Sequence, residues 1–266
     1  YEIKSMLSFS TPLMITGIVS AAIAWTDIIF IGIFKSQADV GIYSSAYIIA
    51  SSLMIFWLSF GDIFYPIISE LYSKKLTSAI RKTFETATRW IFALTLPIFV
   101  MIILNSARII SVIFGSAYAK ASAPLAILIV GYFFTTFFGL AEHGLRTFHK
   151  TKFLGIWSTI GFLINILLNI ALIPPYGIIG AAMATTITLL AVNFVKFMHF
   201  KNILKFELGK KIYAKYTASA LISFLIVFSI MKLTGLDDTF YFISAMTLYF
   251  IIYVFILILL KSFTEE

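Results

Sequence analysis

The chain contains no cysteine. That excludes disulfides, thiolate metal sites and cysteine nucleophiles, and it leaves the compartment open. Charge is scarce too: Asp, Glu, Lys and Arg make up 12% of residues, where a soluble domain carries about 25%. The glycine-rich and histidine signatures of soluble enzymes are missing. There is no G-x-G-x-x-G, no G-x-x-x-x-G-K-S/T, no H-E-x-x-H and no G-x-S-x-G. Without a nucleotide motif, transport by this chain is not driven by ATP that it binds itself. His143 and His149 are six apart and fall on different helix faces, and His199 lies in a basic stretch. No metal and no cofactor is expected, and no enzymatic chemistry.

What the chain has in abundance is apolar surface. Hydrophobic residues make up 61% of the sequence and mean hydropathy is +1.00. Apolar runs of about 20 residues, long enough to cross a bilayer, recur over the whole length. This composition predicts an all-α fold, a polytopic transmembrane helical bundle of about eight helices.

Taken in order, the spans are expected at 10–34, 42–67, from 86 onward, 123–144, 153–173, 178–200, 216–233 and 240–260. Pro12 falls near the start of the first, where a missing N–H costs little, so the residues before it read as an interfacial lead-in. The second is expected to end near Asp62 and Pro66. The third must borrow 86–89 to reach a membrane-spanning length, which puts Arg89 in its first turn, and Pro97 is expected to kink it. Ser106 to Lys120 is too short and too broken by Gly115 to span, and reads as an interfacial or re-entrant piece. Residues Thr234 to Thr239, with Asp237 and Asp238, are expected to turn into the last span.

The net charge of +8 raises the question of nucleic acid, and the placement of the charges answers it. With eight spans, one side holds 16 Lys and Arg, among them Lys4, Lys74, Lys75, Arg81, Lys82, Arg89, Arg146, Lys150, Lys152, Lys196 and Lys261. The other side holds 4: Lys35, Arg108, Lys120 and Lys232. The positive-inside rule then puts both ends of this segment in the cytoplasm of a cell-membrane protein. Anionic headgroups, at about 1 kcal/mol per juxtamembrane cation, account for the charge, and no nucleic-acid partner is expected.

Polar groups inside apolar runs are the functional candidates. Asp27 lies deep in the first span. It is a candidate to bind a cation or proton, to balance a basic group, or simply to anchor near the outer headgroups. Arg89 either faces a wet cavity, where a guanidinium suits phosphate, or snorkels to the interface. Glu142 and Arg146 are one helical turn apart and form a local ion pair or line a cytoplasmic gate. Asp62 and Glu70 read as helix-end and loop charges.

Asn165 and Asn169 project from one helix face. An unpaired amide is costly in hydrocarbon, so that face is expected to meet another helix or a wet cavity. Pro174 and Pro175 are expected to end this helix, and Gly177 to supply the turn. The next helix carries Gly180, Ala184 and Thr188 on one four-residue ridge, a surface small enough for a neighbouring backbone to come close.

Several fragments in order and at matching spacing carry a family resemblance. They are Ser10-Thr-Pro12-Leu13, Asp27-Ile-Ile-Phe-Ile-Gly32, Val40-Gly41-Ile-Tyr43 through Ala46, and Tyr65-Pro66-Ile-Ile-Ser69-Glu70. Ile113-Phe114-Gly115-Ser-Ala-Tyr118, Asn165 to Asn169, and Ile173-Pro-Pro-Tyr-Gly177-Ile-Ile-Gly180-Ala-Ala-Met-Ala184-Thr185 complete them. Over residues 10–190 the chain resembles the polysaccharide and O-antigen flippase branch of the multidrug/oligosaccharidyl-lipid/polysaccharide (MOP) exporter superfamily. The resemblance implies that 1–200 is the second six-helix lobe of a two-lobed transporter. Residues 201–266 would then be a basic cytoplasmic connection and two additional C-terminal helices. It further implies that a first lobe of the same protein is missing from this chain, and that the start without Met reflects a truncated product or an excerpt.

The activity implied is translocation of a polyprenyl- or dolichyl-diphosphate oligosaccharide across the cytoplasmic membrane. Arg89 and Arg146 are the candidates to hold the diphosphate. Asn165 and Asn169 are candidate substrate contacts or interhelical hydrogen-bond partners. Asp27 and Glu142 are candidates for ion coupling or charge balance. The alternatives are a cation-coupled drug antiporter of the same superfamily, a membrane-embedded polysaccharide-synthesis enzyme, and a non-transporting scaffold.

Overall fold

The computed structural model describes residues 2–234 and 239–260. Eleven α-helices follow one another among these residues, with no strand: α1 Glu2–Phe34, α2 Gln37–Ser51, α3 Met54–Ser73, α4 Thr77–Leu104, α5 Ser106–Phe114, α6 Ser122–Phe138, α7 Leu140–Thr147, α8 Thr151–Tyr176, α9 Ile178–Leu204, α10 Lys210–Thr234 and α11 Thr239–Leu259. A 3-10 turn, Ser116–Ala121, joins α5 to α6. The expected turn at Asp237 and Asp238, and Lys261, lie outside the described residues.

Among the described residues, seven stretches are long and apolar enough to cross a membrane: Gln37–Ser73, Thr77–Leu104, Ser116–Thr147, Thr151–Tyr176, Ile178–Leu204, Lys210–Leu233 and Thr239–Leu259. The span expected at 10–34 lies on α1, which contributes Trp25–Phe34 as a shorter apolar piece. This is a multi-pass membrane protein. Leu167, Leu225, Phe240, Ile251 and Ile258 point outward, as residues facing lipid tails do.

Helices α6, α8 and α9 form the centre of the bundle, with α1 along α8 and α2–α3 and α4 against α6. The α8–α9 contact is close because Gly180 is opposite the Leu172 carbonyl, and a Cβ there would collide with it. Ala184 and Thr188 continue the same buried ridge. The C-terminal pair packs on α4: the Tyr253 hydroxyl donates to the Ala93 carbonyl at 2.8 Å, and the Tyr213 ring meets Phe92 edge-on at 4.9 Å.

Two membrane stretches are interrupted, and the interruptions abut. Between α2 and α3, Ser52 and Leu53 bend the chain, and the Ser52 hydroxyl donates to the Ile49 carbonyl at 2.7 Å. The Leu53 carbonyl accepts from Thr136 of α6 at 3.3 Å, so the interruption is not left bare in hydrocarbon. Between α6 and α7, Gly139 leaves room for the Trp57 ring of α3 where a Cβ would stand. At the other end of α2, Ser36 and Asp39 satisfy each other's backbone N–H groups in a capping box.

Prolines break fewer helices than expected. Helix α1 already runs from Glu2 through Pro12, so the interfacial lead-in is helical. Pro66 lies inside α3, which continues to Ser73, and Pro174 and Pro175 form the last turn of α8. Each proline removes one intrahelical bond, and packed neighbours or side chains can re-satisfy the freed groups. The Lys35 ammonium donates to the Pro174 carbonyl at 2.9 Å and so caps the last turn of α8. Gly177, at φ +60, makes the turn. Helix α4 begins at Thr77 and passes through Pro97, so Arg89 sits in mid-helix rather than in a first turn.

Candidate functional site

Helices α1, α2, α3, α6, α7, α8 and α9 line a cavity of about 490 Å³. Its walls include Tyr47, Trp57, Tyr132 and Leu189, with polar Thr135, Thr188 and Asn193 among them. Two charged clusters reach this cavity at different depths. Thr185 belongs to the first and Lys196 to the second, eleven residues apart on α9, or about 16 Å at 1.5 Å per residue.

The first cluster is built around Asp27, whose side chain is 1% exposed. Tyr43 of α2 and Thr185 of α9 donate their hydroxyls to Oδ2, each at 2.5 Å. Asn169 of α8 donates to Oδ1 at 2.8 Å, and its amide nitrogen also reaches Asn165 Oδ1 at 3.1 Å. Asn165 in turn donates to Thr185 at 3.2 Å. A carboxylate has about four lone-pair sites, and three are met by donors from three different helices. Burial of such a charge is tolerable only with this kind of support. Asp27 is therefore no headgroup anchor, and the two asparagines face another helix and its polar residues.

The second cluster is centred on Glu142, in the first turn of α7 just beyond the Gly139 interruption. One carboxylate oxygen pairs with Arg146 at 2.5 Å and the other with Lys196 of α9 at 3.0 Å. Lys196 also approaches the Ser158 hydroxyl of α8 at 3.3 Å. All four side chains line the cavity. The local Glu142–Arg146 pair expected from the spacing is present, and it is part of a larger group.

The charge count puts Lys196 with the cations of the cytoplasmic side; in the structure it is 6% exposed inside the bundle. Its signal lies in the sequence, since it continues the four-residue ridge of Gly180, Ala184, Thr188 and Val192. Tyr43 and Ser158 carry no comparable signal. Arg89 does not join these residues. It lines two other pockets, one with Glu85, Glu207, Lys210 and Tyr213, the other with Phe60, Ile63 and Trp90. Asp62 and Glu70 are on exposed positions of α3, Glu70 pairing with Lys74. His143 packs at a tilt against the Trp57 ring and lies over Gly61, and among the described residues no cluster of potential metal ligands is present.

Residues 1–123 match a family described as "Polysaccharide biosynthesis protein". A Haloferax volcanii protein named a probable low-salt glycan biosynthesis flippase, Agl15, is 26% identical over 238 residues, covering 88% of this chain and 50% of that protein. A second H. volcanii protein, the probable flippase AglR, is 26% identical over 172 residues, covering 62% and 35%. The chain thus spans half or less of the length of these relatives. In structure it superposes on the lipid II flippase MurJ in an inward closed conformation with a TM-score of 0.77, at 21% identity, over 99% of this chain and 56% of that one. A MOP superfamily transporter from Pyrococcus furiosus, described as having a binding pocket of reverse polarity, superposes with a TM-score of 0.62 at 16% identity, over 85% and 55%.

The chain shares its fold with about half of each of these two membrane proteins. The family match covers the first 123 residues, and the two H. volcanii flippases, at 26% identity, are proteins to which this chain is similar.

Proposed function

We propose that this chain supplies one lobe of a flippase that moves a lipid-linked oligosaccharide, a polyprenyl- or dolichyl-diphosphate sugar, across the cytoplasmic membrane. The observation that carries the reading is the single cavity lined both by paired cations, Lys196 and Arg146, and by neutral hydrogen-bonding groups such as Thr135, Asn193 and Tyr47. A polar sugar cannot cross about 30 Å of hydrocarbon unaided, so it needs a lined groove while the lipid tail remains in the bilayer. The cations suit a diphosphate and the neutral groups suit sugar hydroxyls. Alternating access in such transporters rocks one half against another, so the opposing lobe is a required partner. The protein works as a transporter, not as an enzyme.

The orientation follows from charge. Arg89, Arg146 and Lys196 lie within helices, and removing them from the count still leaves Lys and Arg concentrated on one side. We place that side in the cytoplasm, with the first and last residues of the chain. Lys196 and Arg146 then lie toward the cytoplasmic entrance. Asp27, held by Tyr43, Asn165, Asn169 and Thr185, lies deeper and is assigned to ion coupling or charge balance.

The test is a translocation assay with the full-length protein in proteoliposomes. A fluorescent lipid-linked oligosaccharide should lose its protection from an impermeant quencher faster than in protein-free vesicles. An unchanged rate under sodium and proton gradients, with several sugars tried, contradicts the proposal.

A further inference from the structure

Glu142 holds both of its oxygens on cations, Arg146 at 2.5 Å and Lys196 at 3.0 Å. The carboxylate thus bridges two positive groups, the stance that a phosphate of a ligand would take between them. The three residues and Ser158 all face the cavity, so the bridge is reachable by a ligand and is not sealed in the core. Two cations share one carboxylate, which leaves the group with an excess of positive charge. Arg146 still has an unused, buried Nε–H, a donor with no partner among the described residues. Glu142 and Arg146 stand together on α7, just after the Gly139 interruption, whereas Lys196 is carried by the uninterrupted α9.

We infer that Glu142 is an internal stand-in for the substrate's diphosphate. In the empty protein it occupies Lys196 and Arg146, and an entering diphosphate displaces it from them. This rests on the flippase reading above and deepens it, since it names Lys196, Arg146 and Ser158 as the diphosphate subsite and Glu142 as its competitor. The arrangement has two consequences. Binding is weakened, because each substrate must replace an existing pair. Release is assisted, because the returning carboxylate reclaims the cations at the far side of the cycle. A carboxylate with a purely structural role would do neither: its removal would only loosen the bundle.

The test uses inorganic pyrophosphate as the probe, binding to the full-length protein in detergent, with sulfate as the control anion. Glu142→Gln keeps the side chain's shape and removes its charge. It is expected to tighten pyrophosphate binding about tenfold, equivalent to ~1.4 kcal/mol, and to slow substrate release in the translocation assay. Lys196→Gln is expected to weaken pyrophosphate binding by at least about tenfold. Leaving Lys196 and Arg146 unpaired is costly in a buried setting, so Glu142→Gln is expected to melt lower and to be rescued by pyrophosphate more than the parent is. If Glu142→Gln does not fold, Glu142→Asp, whose shorter side chain must release one cation, should show the same tightening to a smaller degree. Unchanged or weaker pyrophosphate binding in the folded glutamate variants overturns the inference, even where translocation proceeds. Tightening by Glu142→Gln with no translocation of any lipid-linked sugar leaves the anion subsite standing and overturns the flippase reading instead.

Discussion

Asn169 of α8 donates its amide to Asp27 Oδ1 of α1 at 2.8 Å, joining residues 142 positions apart. With Tyr43 and Thr185 on the other oxygen, this bond ties α1, α2, α8 and α9 at one point inside the bundle. Replacing Asp27 with Ala strips three buried donors of their acceptor. A buried polar group left unsatisfied costs about 1–3 kcal/mol, so Asp27→Ala should lower thermal stability in detergent by at least that amount. Asp27→Asn should cost less, since its carbonyl oxygen can still accept. Thermal unfolding of the two variants in parallel checks the order.

One wall of the cavity depends on Gly139. Its missing Cβ admits the Trp57 ring, and Trp57 lines the cavity. Gly139→Val should displace that ring and cost about 1–3 kcal/mol, the usual range for overpacking. A shift in the fluorescence of Trp57, in a background with the other tryptophans replaced by Phe, reports the displacement. An unshifted spectrum at full stability would show that the contact is not close.

Gly180 tests the central helix pair in the same way. A side chain there meets the Leu172 carbonyl, a backbone atom that cannot swing aside. Gly180→Leu should therefore separate α8 from α9 and cost about 3 kcal/mol or more. The Asn165–Thr185 bond would be broken with it, so loss of Asp27-dependent stability should accompany the change. A double-mutant cycle with Asp27→Ala would read the coupling as a non-additive loss.

Arg89 and Arg146 should now behave differently. Arg89 lies outside the central cavity, so Arg89→Ala is expected to leave translocation within about twofold, on the ~0.5 kcal/mol scale of an ordinary surface change. Arg146→Ala removes one of the two cations on Glu142 and should cut translocation by about tenfold, in line with a lost ionic contact to substrate. Side-by-side rates in proteoliposomes separate the two arginines.

Much of the architecture was legible because the physics behind it is coarse. Twenty-residue apolar runs, a small-residue ridge at Gly180, Ala184 and Thr188, and two asparagines four apart have few interpretations in hydrocarbon. Asp27 stood out for the same reason: a charge amid apolar residues needs partners. The partners themselves were not legible. Tyr43 is sixteen residues from Asp27, and only the tertiary fold brings its hydroxyl there. Lys196 counts with the cytoplasmic-side cations because only tertiary packing shows that a lysine near Lys201 and Lys205 is buried, although its spacing continues the ridge. The prolines misled in the other direction. A rule learned from exposed helices overstates their effect inside a packed bundle, where neighbouring groups can re-satisfy the freed carbonyls.

The absence of cysteine makes the most direct test of the central claim practical, because a single introduced thiol in these 266 residues is unambiguous. Leu189→Cys would place a thiol on the cavity wall, and Leu167→Cys would place one on the outward face of α8. In the full-length protein, with any cysteine elsewhere replaced, a water-soluble maleimide should label Cys at 189 and largely spare 167. A lipid-linked oligosaccharide should then protect position 189, while the free lipid should not. Protection at 189 is the result expected of a substrate path through this cavity. Labelling at 189 that is the same with and without the lipid-linked sugar, in protein that still translocates it, would place the path elsewhere and contradict the account.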